Sequence, residues 1–224
     1  MKREIMKTGD GSTTIHIPEW NEQYHSKHGA IQEANHVFIK MGLNEFLEQE
    51  NLKEISILEI GFGTGLNALV TWAASKDKGV KINYNGVEAY PVAVEEVSQL
   101  NFANEIATVN AVTVFEKMHE TAWEDFHEIT EDFILKKQQK FFHEIEEHHA
   151  YDLIYFDAFG ARVQPELWTV EIFEKMYKAT KQNGVLVTYA AKGSVRRAML
   201  EVGYKVERLQ GPPGKREMLR ATKV

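Results

Sequence analysis

An acidic residue followed by a glycine-rich loop is the strongest chemical signal in this sequence. The run ISILEIGFGTGLN (55–67) places Glu59 near the end of an apolar, β-branched stretch. Gly61, Gly63 and Gly65 follow it, and a helical pattern then begins. Strand, glycine turn and helix in this order are what a nucleotide-type ligand requires, because glycines admit close backbone approach and the helix start offers free N–H groups. The run predicts a ligand-binding loop; an ordinary glycine-rich turn is the alternative.

The details of the loop indicate which ligand it holds. Leu66 stands where a dinucleotide loop has its third glycine, so this loop is wider than a pyrophosphate clamp. The Glu59 carboxylate would repel a diphosphate and suits a cationic ligand, such as the sulfonium and ammonium of S-adenosylmethionine. The pattern E-x-G-x-G-x-G resembles the first motif of class I methyltransferases. We include Asn67, just inside the following helix, among the cofactor-binding candidates.

A second acid follows the next predicted strand. Glu88 comes directly after Lys81–Val87 and lies 23 residues beyond Gly65. An acid at this position accepts hydrogen bonds from the ribose diol of adenosine. Nicotinamide enzymes share the rule, so it supports adenosine without separating the two cofactors. The alternative is a carboxylate at a helix start ahead of Pro91.

A third acid follows the fourth predicted strand, Tyr151–Phe156. Ligands of open parallel sheets bind outside the carboxyl ends of the strands, which is where Asp157 is expected. An acid followed two residues later by an aromatic, here Phe159, occupies the place of the D/N-P-P-Y/F motif of amino-methyltransferases. Asp157 would orient an amine and take its proton, and Phe159 would pack against a base. The alternative for Asp157 is a helix cap.

The N-terminal part reads as a polar hairpin or arm over residues 1–30, followed by a helix from Ile31 to about Glu50. Such a helix ahead of the first parallel strand would lie over the cofactor edge of the sheet. Tyr24, His25 and Glu33 are therefore candidates for the pocket wall, although an isolated histidine is more commonly exposed.

The remaining pattern predicts an α/β fold, with one Rossmann-like domain over residues 1–224. We expect about seven strands, mostly parallel with an antiparallel last strand, helices on both faces and a small N-terminal extension. The other predicted elements are helices at 66–74, 91–101, 167–180 and 192–203, strands at 111–115, 185–189, 204–209 and 215–222, and an insertion at 116–149 containing a hairpin at 126–135 and a helix at 136–147. Histidines in that insertion lack a partner set, so we assign no metal.

Composition sets broad limits. The chain has 224 residues, no cysteine and a net charge of −7, which excludes disulfides and argues against a generally basic nucleic-acid binder. Neither a signal-peptide core nor an apolar membrane run is found, so we expect a cytoplasmic protein without a membrane partner. From residue 192 onward, nine Lys or Arg face only three Glu. This imbalance indicates an anionic partner, or else a solvated basic surface.

Several longer segments together resemble the methyltransferase half of MnmC, a family also found as the stand-alone MnmD. They are ILEIGFGTGLN, YHSKHGAIQEANHVFI, IYFDAFGARVQPELW and the tail from VTYAAKGSVRR through GPPGKREML. The resemblance implies S-adenosylmethionine-dependent methylation of the aminomethyl group on the wobble uridine of tRNA, giving 5-methylaminomethyl-2-thiouridine. MnmC also has an FAD-dependent oxidase half that makes the amine. Nothing in this chain is long enough to encode it, so only the methyl transfer is predicted, and a separate FAD-dependent oxidase is a candidate partner that the sequence does not decide.

The resemblance also assigns residues. It places the cofactor loop on Glu59 and the three glycines, the ribose acid on Glu88 and the acid of the target site on Asp157. The family often reads D-G-F-A-P there, whereas this chain reads DAFGA (157–161) and lacks the proline. The basic face expected to meet tRNA phosphates consists of Lys192, Arg196, Arg197, Lys215 and Arg216. The alternative is pairing with Glu201, Glu207 or Glu217.

Three other functions remain open on the sequence alone. They are a nicotinamide-dependent oxidoreductase, disfavoured by Leu66 and Glu59, a methyltransferase of a small-molecule amine, and a non-enzymatic adenosine-binding module.

Overall fold

A computed structural model describes residues 2–50 and 52–224, so Met1, at the start of the predicted arm, lies outside the described residues. Its centre is an eight-stranded sheet in the order β10-β11-β9-β8-β4-β5-β7-β6. The strands are β4 Glu54–Ile60, β5 Lys81–Val87, β6 Phe126–Thr130, β7 Phe133–Gln138, β8 Tyr151–Phe156, β9 Thr180–Thr188, β10 Tyr204–Gln210 and β11 Glu217–Lys223. A separate N-terminal sheet contains β1 Glu4–Lys7, β2 Thr13–Ile17 and β3 Glu22–Gln23.

The middle of the sheet is parallel. β4 pairs with β5 and β8, β7 joins β5, and β9 joins β8. The two ends are antiparallel, through β11 on β9 and β6 on β7. The side chains of β8 are all buried, as expected of a strand covered on both faces. The predicted α/β architecture is confirmed, with eight strands in place of about seven.

Helices cover both faces of this sheet. One face carries a continuous helix with three segments, α1 Ala30–Ala34, a π-helical segment Asn35–Asn44 and α2 Glu45–Gln49, together with α3 Leu66–Ser75. The π-helical segment crosses β8 and β9 closely, since a Cβ at Gly42 would lie 3.1 Å from Cγ2 of Val187. The opposite face is packed by α7 Val170–Ala179 and α8 Gly193–Glu201. The long helix begins beside the carboxyl ends of the parallel strands, where Glu33 of its first turn lines the cavity described below.

The third strand predicted at Ala111–Phe115 is wrong. This segment begins α6, Ala111–Glu120, whose buried side chains are Ala111, Val114, Phe115 and Met118. Their spacing is that of one helix face, and a five-residue window rich in valine is too short to distinguish it from a strand.

The segment 116–149 is also organised differently from the prediction. Its hairpin is present as β6 and β7, but β7 pairs in parallel with β5 and so is the third parallel strand, in chain order, of the central sheet. The helix predicted at 136–147 is absent from this described segment. Residues 136–138 complete β7, and only a 3-10 turn, Phe142–Glu144, follows.

Smaller differences concern element ends. The helix predicted at 91–101 is replaced by two short ones, α4 Val94–Val97 and α5 Phe102–Glu105. A 3-10 turn, Pro165–Trp168, precedes α7, and β9 begins five residues earlier than predicted. Among the described helices, none is both long and apolar enough to cross a membrane.

Candidate active site

A cavity of about 960 Å³ opens at the carboxyl ends of β4, β5 and β8. The N-terminal segment and the turn between β10 and β11 close its other side. Nearly all of the predicted cofactor and catalytic residues line it, namely Tyr24, Glu33, Glu59, Gly61, Gly63, Asn67, Glu88, Asp157 and Phe159. Gly65, the last glycine of the loop, does not line the cavity, and a Cβ there would be 3.0 Å from Nε2 of His119. The fold thus brings together side chains from separate stretches of the chain.

The glycine loop takes a backbone shape that other residues rarely adopt. Gly61, Gly63 and Gly65 have φ angles of +90°, +49° and +75°. A Cβ at Gly61 would lie 2.8 Å from the carbonyl oxygen of Asp157, so the loop passes directly against the end of β8. Only glycine satisfies both the angle and the close approach.

Asn67 joins two of the predicted acids. Its Nδ2 donates to Oε1 of Glu59 and to Oδ2 of Asp157, both at 2.8 Å. The hydroxyl of Tyr84 donates to the other oxygen of Glu59 at 2.8 Å. Oδ1 of Asn67 is buried and has no hydrogen-bond partner among the described residues. A buried acceptor without a partner is costly, so this oxygen is available to a donor on a ligand.

The two joined acids have raised pKa values. Burial, followed by the charge of Asp157, raises the pKa of Glu59 well above its ordinary value. Burial, followed by the charge of Glu33, raises the pKa of Asp157 to about 7, although Asn67 and Lys215 oppose the rise. Asp157 therefore exchanges a proton near neutral pH, which suits a general base.

Glu88 is tied to the backbone of the loop. Its Oε2 accepts from the N–H of Gly63 at 3.0 Å, and its Oε1 accepts from the N–H of Tyr90 at 2.9 Å. The second bond anchors the segment after β5, and the next helix, α4, begins only at Val94, so Glu88 does not lie at a helix start. Each carboxylate oxygen retains a further lone pair, so the side chain can still accept from a diol in the cavity.

An aromatic wall stands opposite the loop. The Phe159 ring meets Tyr24 edge to face at 4.9 Å and Trp20 at 5.5 Å between centroids. Burial raises the pKa of Tyr24 to about 12, so it is neutral at physiological pH. Because the rings meet edge to face, each is braced by its neighbour, and an exposed ring face in this wall is an apolar contact for a planar ligand.

His25 lies in this wall, and His28 differs from it. His25 is half-buried, with its ring nitrogens 3.0 Å from Oγ1 of Thr14 and 3.2 Å from Oγ1 of Thr64. Burial lowers the pKa of His25 to about 3 and keeps it neutral. The exposed alternative therefore fails for His25, whereas His28 is exposed.

Lys215 occupies a place that the sequence did not indicate. The resemblance put it on the basic outer face, but its Nζ contacts Oε1 of Glu33 at 2.5 Å and lies 3.7 Å from the ring centroid of Tyr189, at the cavity wall. Ser26 donates its N–H to the other oxygen of Glu33. The hydroxyl of Tyr189 donates to the carbonyl of Ala158 at 2.8 Å. The pairing of Lys215 with Glu33 joins residues 182 positions apart, a separation at which local patterns carry no signal.

The other predicted basic residues lie outside the cavity. Lys192, Arg197 and Arg216 are exposed and Arg196 is half-buried. Across residues 2–50 and 52–224, none of these four forms an ion pair within 4 Å. The acids expected as their partners are used elsewhere or stand apart. Glu207 pairs with Arg220, and Glu217 lies 3.9 Å from Arg208.

Metal-binding groups are not clustered in the part of the chain that the structure describes. There, no group of three or more His, Asp or Glu side chains is placed to hold an ion.

The cavity suits S-adenosylmethionine. Its volume lies within the range of about 300–1,000 Å³ typical of small-molecule sites. Asp157 and the partnerless Oδ1 of Asn67 offer acceptors to an ammonium, Glu88 offers one to a ribose, and the loop admits a close ligand. The residues present therefore fit this cofactor.

Comparison with known proteins agrees with the site. A family model described as S-adenosyl-L-methionine-dependent methyltransferase matches residues 98–224. The chain is 29% identical to the tRNA 5-methylaminomethyl-2-thiouridine biosynthesis bifunctional protein MnmC of Burkholderia multivorans, over 92% of this chain and 33% of that protein. The same protein of Burkholderia pseudomallei is also 29% identical, over 92% and 34%. The chain thus spans about a third of the length of these curated relatives.

Solved structures agree with the sequence comparisons. The crystal structure of MNMC2 from Aquifex aeolicus superposes with a TM-score of 0.79 at 26% identity, covering 98% of this chain and 69% of that one. A spermidine synthase in complex with the transition-state analogue AdoDATO has a TM-score of 0.61 at 12% identity, covering 99% and 70%, and so shares the fold alone. The resemblance to the MnmC methyltransferase half is confirmed.

Proposed function

This chain belongs to the S-adenosyl-L-methionine-dependent methyltransferase family, and we propose that it methylates the aminomethyl nitrogen on the wobble uridine of tRNA. The product would be 5-methylaminomethyl-2-thiouridine. The names of the MnmC relatives support this substrate, as does the likeness to MNMC2. The family match does not favour the nicotinamide alternative.

The observation that carries the proposal is the Asp157–Asn67–Glu59 chain of hydrogen bonds at the cavity. S-adenosylmethionine supplies an electrophilic methyl group on a sulfonium. Asp157, held by Asn67, would orient the amine and keep its lone pair free. As the amine nitrogen takes up that methyl group and S-adenosylhomocysteine is left, the nitrogen would lose one proton, which Asp157 would accept.

Other residues of the site would bind the cofactor and the target base, and would exclude water from the reacting atoms. Glu88 and Gly63 would hold the ribose end of the cofactor, with Tyr24, Glu33 and Asn67 completing its wall. The Phe159 ring, braced by Trp20 and Tyr24, would stack on the uracil and cover the reacting atoms.

The test is Asp157→Asn, which preserves the shape of the side chain and removes the proton acceptor. We expect kcat on tRNA carrying the unmethylated amine to fall by about 10²–10⁴-fold, the usual contribution of a general base. Labelled methyl donor would measure the transfer, and calorimetry would measure the affinity for S-adenosylhomocysteine, which should change much less.

A conservative control separates chemistry from folding. Asp152→Asn removes a carboxylate from the opposite end of the same strand, where it accepts from Ser56 and pairs with Lys181. It should alter thermal stability but retain kcat. Equal turnover by wild type and Asp157→Asn would refute the role of Asp157.

A small-molecule amine remains the competing substrate, and salt distinguishes the two. Phosphate contacts make binding weaken steeply with ionic strength, whereas a small amine lacks them. A KM that rises with salt for tRNA supports the proposal; activity on small amines only would replace it.

The amine itself must be made by another reaction. We propose that a separate FAD-dependent oxidase removes the carboxymethyl group from the precursor nucleoside, and that both enzymes act in the cytoplasm, where tRNA is modified. Conversion of precursor tRNA only when such an oxidase is added would support this step.

A further inference from the structure

A second groove adjoins the cavity on the C-terminal side. It has a volume of about 400 Å³ and shares the lining residues Gly160, Tyr189 and Lys215 with the cavity, so the two spaces are adjacent. We infer that this groove is a second nucleotide site, which receives a neighbour of the methylated nucleotide in the RNA chain. The inference rests on the proposed function, because it takes the target to be part of an RNA.

The floor of the groove is apolar. Trp168 and Val195 are buried beneath it, and Ala161, Ala190 and Ala191 are half-buried at its sides. Such a surface offers a base a dry, flat contact without reading its edges. Unstacked bases of single-stranded RNA are commonly held this way on aromatic and apolar side chains.

The rim of the groove is cationic. Arg162, Lys192 and Arg216 line it and are exposed. Arg162 is already held by Glu22 at 2.9 Å and by two backbone carbonyls, so its position is fixed and its charge is balanced by that carboxylate. Lys192 and Arg216 have no ion pair with any residue of 2–50 or 52–224, which leaves both the ammonium and the guanidinium group for a phosphate.

One acid also lines the groove, and it does not cancel this charge. Glu217 is half-buried and lies 3.9 Å from Nε of Arg208. Apolar floor and cationic rim together match the two parts of a nucleotide, a base and a phosphodiester. The shared wall places this neighbour close to Asp157, since Gly160 is three residues further along the same loop.

The experiment compares two substrates that differ only in having neighbours. One is an anticodon stem–loop carrying the aminomethyl wobble uridine, and the other is the free aminomethyl nucleoside. The measured quantity is the ratio of kcat/KM for the stem–loop to kcat/KM for the nucleoside. In Lys192→Ala/Arg216→Ala we expect this ratio to fall by about tenfold or more, because two phosphates of the stem–loop are then bound without a neutralising cation.

Salt gives a second readout. The slope of log KM against log salt for the stem–loop should become shallower by about 1.4, or about 0.7 for each single-strand phosphate that the variant leaves without a cation. The matched control is Lys53→Ala/Lys78→Ala, which removes two exposed charges near the amino ends of β4 and β5. It should leave both ratio and slope unchanged. An equal effect in both double variants would overturn the inference.

A third variant tests the floor with the charges intact. Ala191→Leu fills the groove and should lower the ratio without changing the salt slope, with circular dichroism melting to confirm the fold. If wild type methylates neither substrate, the proposed function fails while the groove is still tested by fluorescence anisotropy of a labelled stem–loop. Equal affinities of wild type and Lys192→Ala/Arg216→Ala would then reject the site.

Discussion

The cavity and the basic face lie side by side at one end of the molecule, yet their charges are arranged in opposite ways. In the cavity, Glu59 and Asp157 are held by one amide at 2.8 Å and have raised pKa values. On the face, Lys192, Arg197 and Arg216 are exposed and make no ion pair with the described residues. In the first region the acids are held by hydrogen bonds, whereas the second presents its charges to solvent.

The difference is what the roles proposed for the two regions would require. Proton and methyl transfer need groups held within a fraction of an ångström, in a site where water does not screen them. Attraction to a polyanion acts over a Debye length of about 8–10 Å and needs only charge in the right region. We therefore expect the cavity to respond to pH and the face to respond to salt.

The largest expected effect is that of pH on the cavity. Asp157 has a raised pKa of about 7, so below pH 7 it is mostly protonated and unable to accept a proton. The single-turnover rate should fall about tenfold per pH unit below 7 and level off above it. Quenched single-turnover reactions from pH 5 to 9 measure this rate. In Asp157→Asn the fall in rate below pH 7 should be absent. A flat profile in wild type would contradict the assignment of the base.

The next effect concerns the rigidity of the cavity backbone. Gly61→Ala should destabilise the protein by about 2–5 kcal/mol, combining left-handed strain with overpacking against Asp157. Gly79→Ala is the matched control, because its φ is +62° with nothing within 4 Å of the added Cβ, and should cost only about 1–2 kcal/mol. Urea unfolding compares the two. Similar losses would show that the loop is looser than the close approach indicates.

A smaller effect is expected from the face. Arg196→Ala/Arg197→Ala should weaken tRNA binding severalfold at low salt and reduce the salt slope, while the melting temperature stays nearly unchanged, as for other surface changes. Filter binding over a salt series would measure it. Unchanged affinity at low salt would remove these two residues from the interface.

The smallest effect tests the one predicted face cation that lies at the cavity. Lys215 lowers the pKa of Asp157, so in Lys215→Met the fall in single-turnover rate should begin at higher pH. The exposed Lys192 offers a comparison. Lys192→Met leaves the ion pair between Lys215 and Glu33 intact, so the pH at which the rate falls should not change. If both variants keep the wild-type profile, Lys215 acts on shape alone.

Local patterns predicted much of the fold. β5 and β8 have the bounds expected from their buried runs, and the glycine loop lies between a strand and a helix as expected. Predictions for short segments were wrong where a few residues fit both the helix and the strand periodicity, as at Ala111–Phe115. They were also wrong where a distant strand decides the pairing, as for β7 with β5. Propensity describes neighbours in sequence, and sheet order depends on partners far along the chain.

The sequence alone determined the types of group at the site: one acid near the end of a strand and two directly after strands, glycines where the backbone must turn, and a surplus of positive charge near the end of the chain. Only the tertiary structure decided how they are used. It joined Glu59 to Asp157 through Asn67 and drew Lys215 from the expected outer face to Glu33. The type of each residue fixes its functional group. Burial and distance arise only when the chain packs, and they set the pKa of a group or leave its charge available to a partner.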